Sequence, residues 1–352
     1  MQAAVIKPAL LSVVLLLATV SGASADPVRQ NDLNWLQTMA FAAHQTDYSG
    51  TFVYQYGDHV ETMRITHVVD RDGEHGRLEN LDGPQREVIR HNDQVWCYLG
   101  NDKVKVELRQ GGREFPALLP EQLTMLNENY LVKPAEEERV AGFHAHAIVF
   151  KPKDNLRYTH KMWADSASGL LLKSEVLDER GDVIEQYAFT QLSIGGNIDR
   201  KWITEPPTAD AHARGKKNAS RIQQSPRETD SPHDGDPQLA HGLPMMTASP
   251  VVSGWKVDAL PEGFKKIAEV LRQLRGKDAP VVQMVFSDGL AGISVFIEKS
   301  DSDEDDSAGL SSQGMMQIYS KLVDGHLVTV VGEVPPSTVI QVADSVRNGG
   351  GQ

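Results

Sequence analysis

The chain has 352 residues, with 48 acidic against 35 basic side chains, a formal charge of −13 and a single cysteine, Cys97. So acidic a chain argues against a nucleic-acid partner, because that binding rests on neutralising phosphates with Lys and Arg. One thiol permits no internal disulfide, so the fold must be held by its core, and the length exceeds one typical core, which makes two domains the default.

Met1, the lone basic Lys7, an apolar run from Ala9 to Val20 and Ala23-Ser24-Ala25 before Asp26 form the three-part layout of a secretory signal peptide, residues 1–25. About a dozen apolar residues fall short of the roughly 20 that a spanning helix needs. No cysteine follows the cleavage site, so the mature protein is expected to be free rather than lipid-anchored.

The first expected domain covers 26–204. Leu33, Leu36, Met39, Ala40 and Ala43 recur at helical spacing behind an Asn31/Asp32 cap. Strand-like segments follow closely: YSGTFVYQY, VETMRITHVVD, GRLENL, REVIRHN, QVWCYL and KVKVELR. They are separated by Gly57-Asp58, Asp72-Gly73, Asp82-Gly83, Asn92-Asp93 and Gly100-Asn101, all favoured turn chemistry. Short turns between sequential strands imply an antiparallel meander. FPALLPEQLTMLNENYLV reads as a helical interruption with Pro120 in the first turn. Then come HAHAIVFKP, RYTHKMWAD and a hairpin from Leu170 to Leu192 turning at Asp178–Asp182. About ten strands are too many for a flat open sheet, so strong curvature with helices on one face is expected.

From Glu205 to Pro250 the chain carries seven prolines, a basic block (Arg214, Lys216, Lys217, Arg221, Arg227) and then an acidic one (Glu228, Asp230, Asp234, Asp236). This composition cannot bury enough apolar area to offset its ordering entropy, so 205–250 is expected to be a disordered linker. The second, smaller domain is expected at 251–348. Its strands are APVVQMVF, GISVFIEK, MMQIYSKLV and HLVTVVGEV, closed by a helix at STVIQVADSV with Ser337 as cap. GFKKIAEVLRQLRG is ambiguous, since Phe264, Ile267, Val270, Leu271 and Leu274 are spaced for a helix.

Little in the chain carries catalytic chemistry. His144-Ala145-His146 puts two imidazoles on one strand face, but no second pair with ligand spacing lies nearby. In SDSDEDDS, from Ser300 to Ser307, an EF-hand counted from Asp301 would need Gly and Glu where Asp306 and Ser312 stand. The acidic run therefore reads as a solvated hairpin loop that discourages edge pairing. Gly292-Ile293-Ser294-Val295-Phe296 breaks the hydrolase elbow at its last position, and Cys97, within VWCYL, reads as a buried inert thiol. No catalytic residue, metal or cofactor is assigned. A binding surface is left: Trp96, Tyr98, Phe115, Leu118 and Met125 could line an apolar groove under a lid, or an ordinary core.

YSGTFVYQYGDHVETMRITHVVD, LDGPQREVIR, the stretch from RYTHKMWAD to YAFTQL, GWKVDALPEGF, FSDGLAGISVFIE and VTVVGEVPPST resemble the MucB/RseB family. The resemblance runs the length of the mature chain, leaving out the linker and the acidic loop. It implies an α+β, mainly antiparallel fold: a large N-terminal domain like the lipoprotein carriers LolA and LolB, an unclosed β-barrel with a helical lid, and a smaller α+β C-terminal domain. It implies a non-enzymatic periplasmic regulator of the envelope-stress sigma factor. The partner would be the periplasmic domain of a membrane-spanning anti-sigma factor, shielded from proteolysis and released by lipopolysaccharide or lipoprotein acyl chains. Trp255, Phe264, Asp288 and Gly289, in the small-domain motifs, are the expected partner contacts, and a homo-oligomer is left open. The N-terminal fold alone would suit a periplasmic lipid or lipoprotein carrier, which has no need of the second domain.

Overall fold

The computed structural model describes residues 27–92, 94–99, 102–107, 114–120, 123–198, 200, 203, 248–273, 279–300 and 309–349. The signal-peptide segment, the linker up to Thr247 and the acidic run from Asp301 lie outside the described residues.

Helix α1 (Pro27–Gln45) leads into one meander of β1 (Tyr48–Tyr56), β2 (His59–Asp70), β3 (Gly73–Asn80), β4 (Arg86–His91), β5 (Gln94–Leu99) and β6 (Asp102–Glu107). A crossing segment with the short α2 (Thr124–Asn129) leads to a second meander. That meander is β7 (Tyr130–Val140), β8 (Phe143–Pro152), β9 (Thr159–Asp165), β10 (Leu171–Leu177) and β11 (Val183–Ile194). All neighbours are antiparallel, and the order is β6-β5-β4-β3-β2-β1-β11-β10-β9-β8-β7. The sheet is unclosed: β6 and β7, consecutive in the chain, are its two edges. The chain between them must therefore cross the sheet rather than turn back.

That crossing fills the sheet's inner face. Phe115, Leu119 and Leu126 are buried with Phe52, Tyr54, Met63, Phe150, Met162, Leu171 and Phe189 of the strands and Leu36, Met39 and Ala40 of α1. Burying a side chain of this size contributes about 1.5–3 kcal/mol. Turn chemistry fixes the meander. Gly73 (φ +120°) follows the β2–β3 turn, and a Cβ there would lie 1.9 Å from Asn92 Oδ1, which accepts the Glu74 N–H at 2.9 Å.

The smaller domain has β12 (Ala248–Pro250), β13 (Trp255–Val257), β14 (Lys265–Arg272), β15 (Val281–Ser287), β16 (Gly292–Lys299), β17 (Gly309–Gln313), β18 (Met316–Val323), β19 (His326–Gly332), α3 (Pro336–Asp344) and β20 (Val346–Asn348). Seven strands run β12-β14-β15-β16-β19-β18-β17, and β13 pairs with β20. Met284, Phe286, Ile293, Val295, Val328 and Val330 pack beneath Val339, Val342 and Ala343 of α3.

Several expectations are corrected. The ambiguous GFKKIAEVLRQLRG is strand β14 over Lys265–Arg272, because β15 pairs along it, with a register shift between Lys266 and Ala268, and β12 pairs with its last three residues. The large sheet has eleven strands, the missed one being β7, whose YLVKPAEEERV hides behind its charge. The α1 helix starts at Pro27, with Asn31 and Asp32 inside it, since a proline suits the first turn where no N–H partner is needed. Pro335, not Ser337, precedes the first residue of α3. Among the described residues the crossing segment is helical at Thr124–Asn129, and Tyr130-Leu131-Val132 already belongs to β7. Cys97 is partly exposed rather than buried.

Candidate functional site at the domain junction

The two domains meet around one buried carboxylate. Asp288 opens the β15–β16 turn, where its Oδ1 accepts the N–H groups of Leu290 and Ala291 at 2.9 and 2.8 Å. Its Oδ2 faces the large domain and accepts Arg157 Nε at 2.5 Å and the Tyr130 hydroxyl at 3.0 Å. The side chains of Arg157 and Asp288 are 1% and 0% exposed. Arg157, between β8 and β9, also donates to Asp154 and to the Glu262 carbonyl, and it lies 5.0 Å from the centroid of the Phe264 ring. Burial acts against its charge, but the hydrogen bond and charge of Asp288 outweigh it and raise the guanidinium pKa. A charge placed this deep persists only with a partner and satisfied hydrogen bonds, and here every arm of the guanidinium has one.

Glycines let the backbones close. Gly289 (φ +104°) brings the turn so near α2 that a Cβ would stand 3.2 Å from Leu126 Cδ2 and 3.7 Å from Met125 Cβ. Leu290 follows it into the large core. From the small domain, the Thr338 hydroxyl donates to the Leu156 carbonyl at 3.0 Å. The arrangement is a joint crossed by the Arg157–Asp288 ion pair, the cation–π contact of Arg157 with Phe264 and the apolar plug of Leu290, with the lid helix pressed between.

Of the expected partner residues, Phe264, Asp288 and Gly289 stand in this joint. Trp255 stands apart, in the small core on β13, edge-on to His326 at 5.1 Å. Of the expected groove residues, Phe115 packs on Phe52, Phe189 and Tyr187 at 5.0, 5.1 and 5.4 Å, with Leu118 against the same cluster. Met125 lies at the joint, and Trp96 and Tyr98 sit on β5, outside that cluster and next to the β6 edge. Phe115 and Leu118 thus share one cluster, and the β5 aromatics stand on the sheet beside its β6 edge. Arg157, Tyr130 and Leu290 went unread in the sequence, where Asn-Leu-Arg-Tyr looks like any polar loop and its partner is 131 residues away.

The other sequence candidates have local roles. His146 Nδ1 is 3.1 Å from Glu137 Oε1, and its ring lies edge-on to Trp35. Among the described residues no group of three His, Cys, Asp or Glu side chains could hold a metal ion, and no helix is long and apolar enough to cross a membrane. Ser294, in mid-strand, accepts Gln283 Nε2 at 3.3 Å.

Two family descriptions cover the chain: the MucB/RseB N-terminal domain matches residues 31–207, and the MucB/RseB C-terminal domain matches 249–347. The chain belongs to the MucB/RseB family. It is 32% identical over 321 residues to the sigma factor AlgU regulatory protein MucB of Pseudomonas aeruginosa, covering 89% of this chain and 90% of the relative. It is 25% identical over 340 residues to the sigma-E factor regulatory protein RseB of Haemophilus influenzae, covering 96% of each. The crystal structure of MucB in complex with MucA(peri) matches with a TM-score of 0.67 and 28% identity, over 91% of this chain and 99% of that one. MucB/RseB relatives are thus sigma-factor regulators, and both of their domains have counterparts on either side of the joint described above.

Proposed function

We propose that the chain is a non-enzymatic periplasmic regulator that binds the periplasmic segment of a membrane anti-sigma factor at the domain junction and shields it from proteolysis. The observation that carries this reading is the end-to-end likeness to MucB in its complex with MucA(peri), which spans both domains and not the large one alone. The signal-peptide layout of the first 25 residues supports export. Phe264, Asp288 and Gly289 at the joint, and Trp255 apart from it in the small domain, are the proposed contacts; since Asp288 is occupied by Arg157, a partner grips the surface around the pair or replaces it. The large domain (26–204) and small domain (251–348), joined by 205–250, act as the two halves of the grip.

Lipid release is the second part of the proposal. An acyl chain enters between the crossing segment and the sheet, near Phe115 and Leu118, displacing the lid that also touches Gly289 through Leu126 and Met125. Each buried methylene is worth about 0.8 kcal/mol before ordering costs. By linkage, lipid weakens the partner tenfold for each 1.4 kcal/mol by which it prefers the partner-free form, to order of magnitude.

The test titrates an anti-sigma periplasmic segment against the full chain and follows cleavage of that segment by an added protease. Binding is expected to slow cleavage in proportion to occupancy. Absence of binding removes the proposal; binding without protection removes the shield alone.

A further inference from the structure

We propose that Glu185 makes the docking of the β17–β18 hairpin onto the large sheet a proton-linked latch between the domains. The hairpin turns at Gly314 and Met315 and sets its tip on β1 and β11. There the Met315 N–H donates to Glu185 Oε2 at 3.3 Å, and the Tyr54 hydroxyl donates to the same oxygen at 3.2 Å. Beside them Gln313 Nε2 donates to the Tyr56 hydroxyl at 3.0 Å. The fit leaves no slack: a Cβ on Gly314 (φ +57°) would lie 2.7 Å from Glu185 Oε2 and 3.1 Å from Tyr56 Cβ. Glu185 is 4% exposed, so undocking of the tip is what would bring water to it.

The groups around this carboxylate are neutral donors or another acid. From β1 come Tyr54 and Tyr56; on β11 itself is Tyr187; Tyr158, just before β9, feels its charge; β10 opposes it with Val176. The small domain adds Glu333, beyond β19, whose negative charge also acts on it. Burial pushes the Glu185 carboxyl up to about 7; the Met315 hydrogen bond opposes this, Glu333 adds to the rise and the Tyr54 hydrogen bond opposes it. Burial also holds the Tyr54 and Tyr187 hydroxyls above their ordinary range, so they stay neutral.

The sign follows from the two states. Docked, the carboxyl keeps its proton up to about pH 7; undocked and solvated, it returns to its ordinary 4.5. Docking therefore takes up a proton. The hairpin is held hardest below pH 4.5, loosens as pH rises toward 7, and levels off above that. The ceiling is 7 − 4.5 = 2.5 decades, roughly 300-fold in the undocking constant. The latch is a property of the resting chain and does not depend on what the junction binds.

Amide exchange in the full-length protein reads it directly. Protection of the Gln313–Met316 amides is followed between about pH 5 and 8 in wild type and Glu185→Gln, so that the intrinsic pH dependence of exchange cancels. The undocking constant of the wild type is expected to climb up to about tenfold per pH unit relative to the variant and to flatten near pH 7. Parallel behaviour of the two proteins overturns the latch. A second reading needs no change at Glu185: its side-chain carboxyl is titrated by carbon NMR in wild type and in Gly314→Ala, whose added Cβ pushes the tip away. A midpoint near 7 that falls toward 4.5 in Gly314→Ala supports the latch; a wild-type midpoint near 4.5, or one unmoved by the substitution, overturns it.

Discussion

At the residue scale the joint depends on Asp288. Removing its carboxylate leaves the Arg157 guanidinium, 1% exposed, with only the half-buried Asp154 as counter-charge and its Nε unpaired, and leaves two turn N–H groups without their acceptor. Asp288→Ala is expected to cost about 3–5 kcal/mol in urea unfolding of the full chain. Arg157→Leu added to it should restore part of that loss, because the stranded charge goes too; a single variant within about 0.5 kcal/mol of wild type would show that the pair holds nothing. Asp288 is legible in the sequence as the first residue of an Asp-Gly turn, but its partner is not, because a contact across 131 residues leaves no local pattern. Glu74 gives a second residue-scale expectation. His44 and His67 approach it at 3.2 and 3.1 Å and Arg90 at 3.6 Å. Burial would raise its pKa, yet the hydrogen bonds from His44 and His67, helped by Arg90, pull it well below the ordinary 4.5. A lowered carboxyl contributes stability that is present above 4.5 and lost as pH falls further. Stability measured by urea midpoint should therefore fall less steeply below about pH 4.5 in Glu74→Gln than in wild type.

At the scale of elements, α2 carries more than its six residues suggest. Leu126 is fully buried in the large core, and its Cδ2 is the atom a Cβ on Gly289 would meet first. Leu126→Ala is expected to cost about 2–5 kcal/mol and to raise amide exchange in the β15–β16 turn; an unchanged turn would mean that lid and joint are uncoupled. The strands β1, β5 and β16 were legible to the residue, because branched and aromatic alternation gives way there to glycine, aspartate or serine in the sequence. Strand β14 was not, since Ile267, Val270 and Leu271 serve a helix stripe and a paired strand equally well until neighbours decide. Strand β7 was hidden because an edge strand tolerates Pro134 and the run Glu136-Glu137-Glu138, which read as loop. The groove residues fared unevenly for the same reason. Phe115 and Leu118 lie on one segment, whereas the place of Trp96 and Tyr98 relative to them is set by the curvature of the sheet, which no window of sequence contains.

At the scale of the whole molecule, lid, joint and latch lie along one boundary between a large and a small sheet. A ligand that moves the lid therefore acts where a partner is proposed to sit. Leu118→Asp or Met125→Asp should weaken a fluorescent fatty-acid probe while leaving the folded spectrum intact. In the wild type, saturating lipid should lower affinity for the anti-sigma segment at least tenfold, to order of magnitude, by competition titration. Unchanged affinity with lipid bound would remove the switch, however tightly the lipid itself is held.

The order of the large sheet also governs how it is made. Among the described strands its two meanders pair with each other at the β1–β11 seam, with nine residues of β1 paired to a strand that begins at Val183. Chain emerging N-terminus first can complete β1 to β6 while β1, rich in Tyr and Phe, still lacks a neighbour on one side. Until Val183–Ile194 arrives, that side offers unsatisfied N–H and C=O groups to any other chain. Seam closure is a long-range, entropically slow event, so substitutions along it should change the folding rate and the yield of aggregate more than those in the local turns.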